Sequence, residues 1–288
     1  MKHTIRNEFI SVTAENAGGE LVSVKRGETE YLWQRDPKFW HDSSPNIFPY
    51  IARLTEGKYV YGGEVYEMKI HGFVKYADLE LTAKTDTSMT FSLEDNDETR
   101  RQYPWHFLYS ITYSLDQDTL LVETRVENRD EKTMYFGVGG HPGFNVPLEA
   151  GLGYGDYYIE LPDATAPVRI GFTPTCFRNG NDEPYTLDDK KRITLAHTLF
   201  ENDAIVLKGA GQKAILGSVK GERKLIVSWD HPYLGIWSRT SEAPYVCLEP
   251  WNGLPSHDQV VEDFEKQQDL TALEKGGVHT SIWKVQMI

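Results

Sequence analysis

The sequence predicts an all-β fold, a large antiparallel β-sandwich that takes up residues 1–288 as one domain. Two observations favour this class. Short apolar runs recur along nearly the whole chain and are separated by turns rich in glycine, proline and aspartate. No stretch requires a helix longer than about two turns, and no change in composition marks a domain boundary. The sequence also lacks the fixed-period repeats of a β-propeller.

Composition places the chain among ordinary globular proteins and limits its partners. Hydrophobic residues make up 40% and charged residues 25% of the 288 positions, so a core of this size needs no disulfide. The 30 basic and 43 acidic residues give a net charge of −13. Such a charge argues against nucleic acid and anionic membranes as partners and says little about a neutral ligand.

Targeting signals and cysteine usage indicate a compartment. The chain starts without the apolar run of a signal peptide, and no stretch approaches the roughly 18 apolar residues of a membrane span. Its two cysteines, Cys176 and Cys247, have no metal-type spacing. The sequence therefore predicts a cytoplasmic protein with free thiols.

The first strands are predicted at residues 9–14 and 21–25, on either side of a Gly18-Gly19 turn. Residues 30–33 form a third apolar run, and residues 42–49 are too rich in proline and small polar residues for regular structure. Arg53 follows that loop as a lone cation in an apolar setting. The ordinary interpretation of such an arginine is a surface residue that lies along its own stem.

Residues 58–73 are typical of a β-hairpin, because Gly62-Gly63 suits a two-residue primed turn. Alternation along the second strand puts Met68 and Ile70 towards the core and His71 on the polar face. Histidines on a polar face are mostly surface residues, yet His71 stands at the end of its strand, where loops carry function. The local pattern leaves both alternatives open.

The rest of the chain reads as further short strands. Residues 82–128 predict a β-meander with strands at 89–93, 107–115 and 119–128. The one good helix candidate is at residues 256–264. Other strands are predicted at residues 157–161, 192–195, 204–207, 214–217, 225–229, 233–238, 245–251 and 280–286.

The central stretch, residues 135–144, presents a histidine where a strand ends. Counting by twos puts Gly137, Gly139 and His141 on one face. Pro142 biases His141 towards an extended conformation. A glycine inside a strand marks a bulge or the close approach of a ligand or another backbone. We therefore expect a gap beside the imidazole, large enough for a small molecule, although a histidine that caps a buried strand is the alternative.

Glu249 is presented in the same way on a second strand. It shares a face with Cys247 inside an apolar run, and Pro250 keeps it extended. A glutamate in such a strand is costly unless it is paired or faces a cavity. The alternatives are a buried salt bridge with an arginine and a carboxylate in a cleft.

Other apparent motifs carry little weight. Ser256, His257 and Asp258 are neighbours in sequence, so their side chains diverge and cannot form a relay. Phosphate-binding glycine loops and a His-Glu-x-x-His motif are absent from the sequence. His71 and His141 without a nearby acidic ligand pattern are weak grounds for a metal site.

Three short motifs carry a resemblance to a known family. The sequence resembles the aldose 1-epimerase (galactose mutarotase) superfamily, and its LacX-like branch most closely, over essentially the whole chain. The motifs are Gly140-His141-Pro142-Gly143-Phe144, Leu248-Glu249-Pro250-Trp251 and Ile70-His71-Gly72-Phe73, with Leu234-Gly235-Ile236-Trp237 and Cys247 pointing to the branch. The resemblance implies the galactose mutarotase-like antiparallel supersandwich, in agreement with the strand pattern.

The resemblance also implies residue roles. By position in the motifs, His141 would be the general acid and Glu249 the general base. His71 and Arg53 would contact the substrate. Asp203 would bind sugar hydroxyls, with Asp188, Asp189 and Asp230 as competitors for that role.

Two departures from the family pattern fall on substrate-contacting elements. Lys75 stands where mutarotases often have arginine, and Ala52 precedes Arg53 where asparagine is usual. These departures bear on the identity of the substrate more than on the chemistry. Trp237 and Trp251 are candidates for packing against a sugar ring, with core packing as the ordinary alternative.

The implied reaction is mutarotation of a hexose. A base takes the proton of the anomeric hydroxyl, an acid protonates the ring oxygen, and the opened chain rotates about C1–C2 before it recloses. Glutamate, with a reference pKa near 4.3, and histidine, near 6.5, suit these roles at pH 7. Neither a metal nor a redox cofactor is needed. We expect a small-molecule sugar as the partner of a monomer or homodimer.

Three alternatives remain at this point. A hexose-6-phosphate 1-epimerase would keep the reaction and use Arg53, Lys58 and Lys75 for the phosphate. A non-catalytic carbohydrate-binding protein would keep the fold and lose turnover. A glycoside hydrolase normally needs two carboxylates across the scissile bond, whereas the motif strands supply one carboxylate and two histidines.

Overall fold

The computed structural model describes residues 1–239 and 242–288, and strands dominate both ranges. The strands up to the central glycine-rich stretch, in chain order, are β1 (Lys2–Arg6), β2 (Ile10–Glu15), β3 (Leu21–Arg26), β4 (Thr29–Glu30), β5 (Asn46–Ile47), β6 (Lys58–Tyr61), β7 (Glu64–Glu67), β8 (Glu80–Lys84), β9 (Ser88–Glu94), β10 (Phe107–Asp116), β11 (Thr119–Asn128), β12 (Met134–Phe136), β13 (Gly139–Gly140) and β14 (Gly143–Asn145).

The second half of the chain continues in the same way. Its strands are β15 (Tyr157–Glu160), β16 (Val168–Arg169), β17 (Glu183–Pro184), β18 (Arg192–Thr194), β19 (Ile205–Lys208), β20 (Lys213–Ser218), β21 (Leu225–Trp229), β22 (Tyr233–Trp237), β23 (Tyr245–Trp251), β24 (Glu262–Asp263), β25 (Thr271–Leu273) and β26 (Val278–Met287).

Helical structure is scarce. Among the described residues the only α-helix is α1 (Asp97–Gln102), which Asn96 caps by accepting from the backbone N–H groups of Glu98 and Thr99. None of the described helices has the length and apolar character that crossing a bilayer requires. Single 3₁₀ turns occur at Thr55–Gly57, Val74–Tyr76, Tyr154–Asp156 and His197–Phe200.

Two large sheets form the body of the fold. The nine-stranded sheet has the order β18-β15-β20-β21-β26-β11-β10-β9-β8. The eight-stranded sheet has the order β17-β16-β19-β22-β23-β13-β5, with β14 also paired to β23. Smaller sheets are β1-β2-β3-β4, β12-β25 and β24-β6-β7. Every named strand pair in the described ranges is antiparallel except β24 with β6.

Alternating burial along the long strands explains how the large sheets pack. In β10, Tyr109, Ile111 and Tyr113 are buried while the residues between them are half-buried. Strand β23 is different, because every residue from Tyr245 to Trp251 is buried. A strand buried on both faces is typical of the interior of a layered fold, and the carboxylate of Glu249 is therefore held inside the protein.

The fold confirms the predicted class of a nearly all-β antiparallel structure and corrects several details. Strand β1 was not predicted, because its sequence lacks a clear apolar alternation. The hairpin turn at Gly62-Gly63 is present, but β7 ends at Glu67 and residues 68–73 form a loop. The helix predicted at residues 256–264 is wrong, since that segment is irregular and contributes only the short strand β24.

Candidate active site

One cavity brings together residues from distant parts of the chain. Its volume is about 360 Å³, within the range of small-molecule sites. All five residues named from the sequence line it, namely Arg53, His71, His141, Asp203 and Glu249. The competing aspartates Asp188, Asp189 and Asp230 are not among its lining residues.

The pairing register of the eight-stranded sheet places His141 opposite Glu249. In the eight-stranded sheet Gly139 pairs with Trp251 and Gly143 with Cys247. Because the strands are antiparallel, His141 lies opposite Glu249 between these two pairs. The Nε2 atom of His141 is 3.2 Å from Oε2 of Glu249, and their side chains are 11% and 1% exposed. No arginine pairs with Glu249 among the described residues, so the salt-bridge interpretation does not hold.

Burial sets the protonation of this pair. Desolvation, and then the charge of Asp203, raise the pKa of Glu249 well above its ordinary value of 4.5. Desolvation, and then the charge of Lys75, lower the pKa of His141 to about 3. Both shifts favour a protonated carboxyl next to a neutral imidazole, an arrangement in which the two groups hold one acidic proton between them. The two atoms lie 3.2 Å apart without hydrogen-bond geometry. The carboxylate and imidazolium forms arise when the proton moves from Glu249 to His141.

The glycines before His141 serve packing and do not open the cavity. A Cβ on Gly139 would lie 2.7 Å from the carbonyl oxygen of Pro250 and 2.8 Å from Cδ1 of Trp251, and one on Gly137 would lie 3.1 Å from Ile51. The prediction that Gly137 and Gly139 create the gap beside the imidazole is therefore wrong. They permit the close approach of another strand, which is the other common reason for a glycine within a strand.

His71 is buried, contrary to its predicted place on a polar face. Its backbone has a φ of 64°, and its exposure is 8%. The N–H of Ala52 donates to Nδ1 of His71 at 3.2 Å, and the N–H of His71 donates to the carbonyl of Ala52 at 2.9 Å. Since Nδ1 is an acceptor, the neutral ring carries its proton on Nε2. Burial, and then the charges of His141, Lys75 and Arg53, hold the pKa of His71 well below its ordinary value of 6.5.

Arg53 is fixed through its main chain. Its carbonyl accepts from the N–H of Ser256 at 3.0 Å and from the Ser256 hydroxyl at 3.3 Å. Ala52, just before it, has a φ of 53°. The segment therefore turns sharply at the cavity wall. Arg53 is exposed, as the surface interpretation expects, and it also lines the cavity.

Asp203 stands at the end of the cavity wall that leads into β19. One of its carboxylate oxygens accepts from the N–H of Ala204 at 2.8 Å, and the other accepts from the thiol of Cys176. Burial, and then the hydrogen bond and charge of Asp203, raise the pKa of the Cys176 thiol to about 12, against the opposing charge of Arg53. The thiol therefore stays protonated and acts as a donor.

Left-handed backbone is concentrated around the cavity. Four of its lining residues have a positive φ, in a region that non-glycine residues seldom occupy: Ala52 (53°), His71 (64°), Cys176 (65°) and Asp203 (66°). Strained conformations of this kind collect at ligand-binding and catalytic positions because the surrounding structure has to hold them.

Several further residues line the cavity, and most of them were not identified from the sequence as parts of a site. Trp40, Phe172 and Trp237 supply aromatic walls, and Asp42 and Cys176 supply polar ones. The ring centroid of Trp40 is 5.0 Å from that of His141, and that of Trp237 is 5.7 Å from it. Trp237 and Trp251, the two tryptophans that the sequence suggests for packing against a sugar, both line the cavity. The others lie in irregular loops, where no periodicity indicates which side chains point inward.

Three buried side chains could hold a metal ion. His141, Cys247 and Glu249 offer ligand atoms within 4.8 Å of one another, and nitrogen, sulfur and oxygen ligands suit Zn²⁺. A metal on these atoms would take the lone pairs that proton transfer between His141 and Glu249 requires. The two uses of this cluster are therefore mutually exclusive.

Comparison with known proteins gives consistent results. A family model described as aldose 1-epimerase matches residues 1–273. The plasmid-encoded LacX protein of Lactococcus lactis subsp. lactis is 33% identical over 260 residues, which cover 87% of each chain.

Solved structures extend the match over the whole fold. A galactose mutarotase related enzyme from Lactobacillus acidophilus has 34% identity and a TM-score of 0.94 over 100% of this chain and 97% of its own. A galactose mutarotase-like protein from Lactobacillus casei has 31% identity and a TM-score of 0.94 over 100% of both chains.

Proposed function

Because the chain belongs to the aldose 1-epimerase family, we propose that it interconverts the α and β anomers of a hexose, with Glu249 as general base and His141 as general acid. The observation that carries this proposal is the 3.2 Å contact between His141 Nε2 and Glu249 Oε2 in the wall of the cavity. The anomeric hydroxyl and the ring oxygen are both bonded to C1. A base and an acid that serve these two atoms must therefore be neighbours.

The reaction proceeds by proton transfers that balance. Glu249, as carboxylate, takes the proton of the C1 hydroxyl, and His141, as imidazolium, gives its proton to the ring oxygen. The C1–O5 bond breaks and leaves an open-chain aldehyde. After rotation about C1–C2 the same two transfers run in reverse and close the ring as the other anomer. The pair holds one proton before and after each half of the cycle.

The remaining polar residues suit a sugar that turns within the cavity. His71 presents a neutral Nε2–H donor, Arg53 a charged donor and Asp203 an acceptor. The indole rings of Trp40 and Trp237 provide apolar surface for the C–H groups of the sugar. Such contacts fix the ring without binding either anomeric position exclusively, as an epimerase requires.

The test is the substitution Glu249→Gln. We expect it to lower the acceleration of α-glucose or α-galactose mutarotation, measured by polarimetry, about 10²- to 10⁴-fold, because it removes the base and keeps the shape. Glu64→Gln is the matched control, since Glu64 is exposed in β7 and lines no described cavity near the site. An unchanged rate in Glu249→Gln, with both variants folded by circular dichroism, would refute the proposal.

Two other functions are separated by the same measurements. A carbohydrate-binding protein without turnover would bind hexose in a calorimeter and leave the mutarotation rate at its uncatalysed value. A hexose-6-phosphate 1-epimerase would use the two cations that line the cavity, Arg53 and Lys75, and would accelerate mutarotation of the phosphorylated sugar more than that of the free sugar. Lys58, the third cation suggested from the sequence, does not line it and lies 3.5 Å from Glu56.

A further inference from the structure

We propose that the cavity selects an uncharged aldose, and that Asp42 enforces this selection by holding Lys75. The inference rests on the proposed function, because it names the class of sugar that the epimerase would accept. Asp42 belongs to the irregular loop before β5, and Lys75 to the 3₁₀ turn Val74–Tyr76. Both residues line the cavity.

The contact between the two residues is close and mostly shielded from water. Nζ of Lys75 donates to Oδ2 of Asp42 at 2.8 Å, and the two side chains are 14% and 18% exposed. Each charge has lost most of its hydration and is compensated by the other. His41 is 3.9 Å from Asp42, but its side chain is 82% exposed, so it is a weak competitor for that carboxylate.

The backbone that carries Lys75 is held in place. The N–H of Gly18 donates to the carbonyl of Ala77 at 2.7 Å. A Cβ at Gly18 would lie 3.1 Å from the carbonyl oxygen of Lys75, so the two backbones are nearly in contact. Lys75 therefore has little freedom to move its ammonium group away from Asp42 by a shift of the main chain.

The charges of the described lining residues are balanced without a ligand. Two cations, Arg53 and Lys75, and two carboxylates, Asp42 and Asp203, line the cavity beside the His141–Glu249 pair, which is neutral when it holds one proton. Arg53 lies close enough to the Cys176–Asp203 pair to oppose the rise in the pKa of Cys176 that burial and Asp203 cause. Arg53 is exposed and forms no ion pair within 4 Å among the described residues, so Lys75 is the shielded cation of the cavity, and Asp42 already holds it.

A sugar phosphate would therefore bind less favourably than the free sugar. If its phosphate took Lys75, Asp42 would be left as a shielded carboxylate without its partner, beside a second anion. Removal of one member of a buried ion pair is strongly unfavourable for this reason. A hydroxyl group at the same place leaves the ion pair intact and can hydrogen-bond to it.

The experiment compares kcat/KM for glucose and for glucose 6-phosphate, measured by exchange NMR on the equilibrium mixture of anomers. The wild-type protein is compared with Asp42→Asn, Asp42→Asn/Lys75→Met and Glu64→Gln. The last variant makes the same change in net charge on exposed β7, outside the cavity. The readout is the ratio of the two kcat/KM values, because a general loss of activity cancels in it.

We expect wild type and Glu64→Gln to favour glucose, and Asp42→Asn to shift the ratio towards the phosphorylated sugar by at least about tenfold, equivalent to about 1.4 kcal/mol. The double variant should lose that gain. A wild-type preference for glucose 6-phosphate, or a ratio that Asp42→Asn does not move, would overturn the inference while the epimerase proposal stands. If neither sugar is turned over, the epimerase proposal fails, and calorimetric Kd values for both sugars give the same ratio and decide the inference.

Discussion

His141 lies directly opposite Glu249 in the eight-stranded sheet, and its Nε2 atom is 3.2 Å from the carboxylate oxygen Oε2. Backbone pairing on both sides of this contact fixes the distance, so the acid and the base do not depend on loop closure to meet. The protonation of the pair, the neighbouring donors and the packing behind it each lead to a measurable expectation.

The pH dependence of kcat/KM should show that His141 and Glu249 share one proton. Below the lowered pKa of His141, about 3, both groups are protonated and the base is lost. Above the raised pKa of Glu249 both are deprotonated and the acid is lost. We therefore expect a level profile from pH 5 through 6.5, with the acid limb approaching pH 3.

The pH profile of kcat/KM needs a control for the stability of the protein at each pH. The lowered pKa values of His71 and His141 mean that the unfolded chain binds protons below pH 6.5 that the folded chain does not. The free energy of unfolding therefore falls as the pH drops below 6.5, and circular dichroism at each pH separates unfolding from loss of activity. An inflection of kcat/KM at pH 6.5 in folded protein would contradict the shared proton.

His71 should remain a neutral Nε2–H donor across the physiological range, because Ala52 donates to its Nδ1. Nitrogen-15 NMR of the ring should show a protonated Nε2 and an unprotonated Nδ1 from pH 5 to 8. His71→Phe should raise KM about five- to tenfold, the worth of one hydrogen bond, and His71→Gln should recover part of it. Equal KM values for the two variants would indicate that the donor makes no contact with the sugar.

Cys176 should orient Asp203 for the sugar, because its protonated thiol donates to one of the carboxylate oxygens. Cys176→Ala removes the donor, and we expect KM to rise severalfold with kcat little changed. Cys176→Ser keeps a donor of similar reach and should restore KM. A serine variant as impaired as the alanine variant would point to packing in place of orientation.

Gly139→Ala should destabilise the fold behind the site. The added methyl group would meet the Pro250 carbonyl at 2.7 Å and the Trp251 ring at 2.8 Å, and overpacking of this kind costs about 1–3 kcal/mol. Denaturant unfolding measures the loss. Gly153→Ala is the control, because its nearest neighbour would be 3.8 Å away. Equal stability of the two variants would show that β13 and β23 can separate.

The parts of the fold that depend only on neighbouring residues could be predicted from the sequence. Strand β11 has the predicted bounds, residues 119–128, since its alternation and its turn at residues 116–118 are both in the sequence. The Gly62-Gly63 hairpin follows from backbone preference alone, as both glycines have a positive φ. The place of His141 and Glu249 at the ends of apolar runs was equally visible.

Long-range contacts account for what the sequence could not predict. The helix expected at 256–264 is absent because Ser256 is bonded to Thr55 and Arg53, some 200 positions away, and such tertiary contacts override helix propensity. The space beside Gly137 and Gly139 is occupied by Ile51 and Pro250, and no period-two pattern indicates these contacts. Asp42 lies in a loop without periodicity, so its contact with Lys75 was equally hidden.

The position of β26 has a consequence for newly made protein. This strand lies between β21 and β11 and joins the two halves of the nine-stranded sheet. Until residues 278–287 have left the ribosome, the nascent chain carries two unpaired strand edges on apolar sheets. Such edges are templates for pairing with another chain. The yield of soluble protein therefore depends on how quickly β26 docks, and a chaperone that shields β11 and β21 would act in that interval.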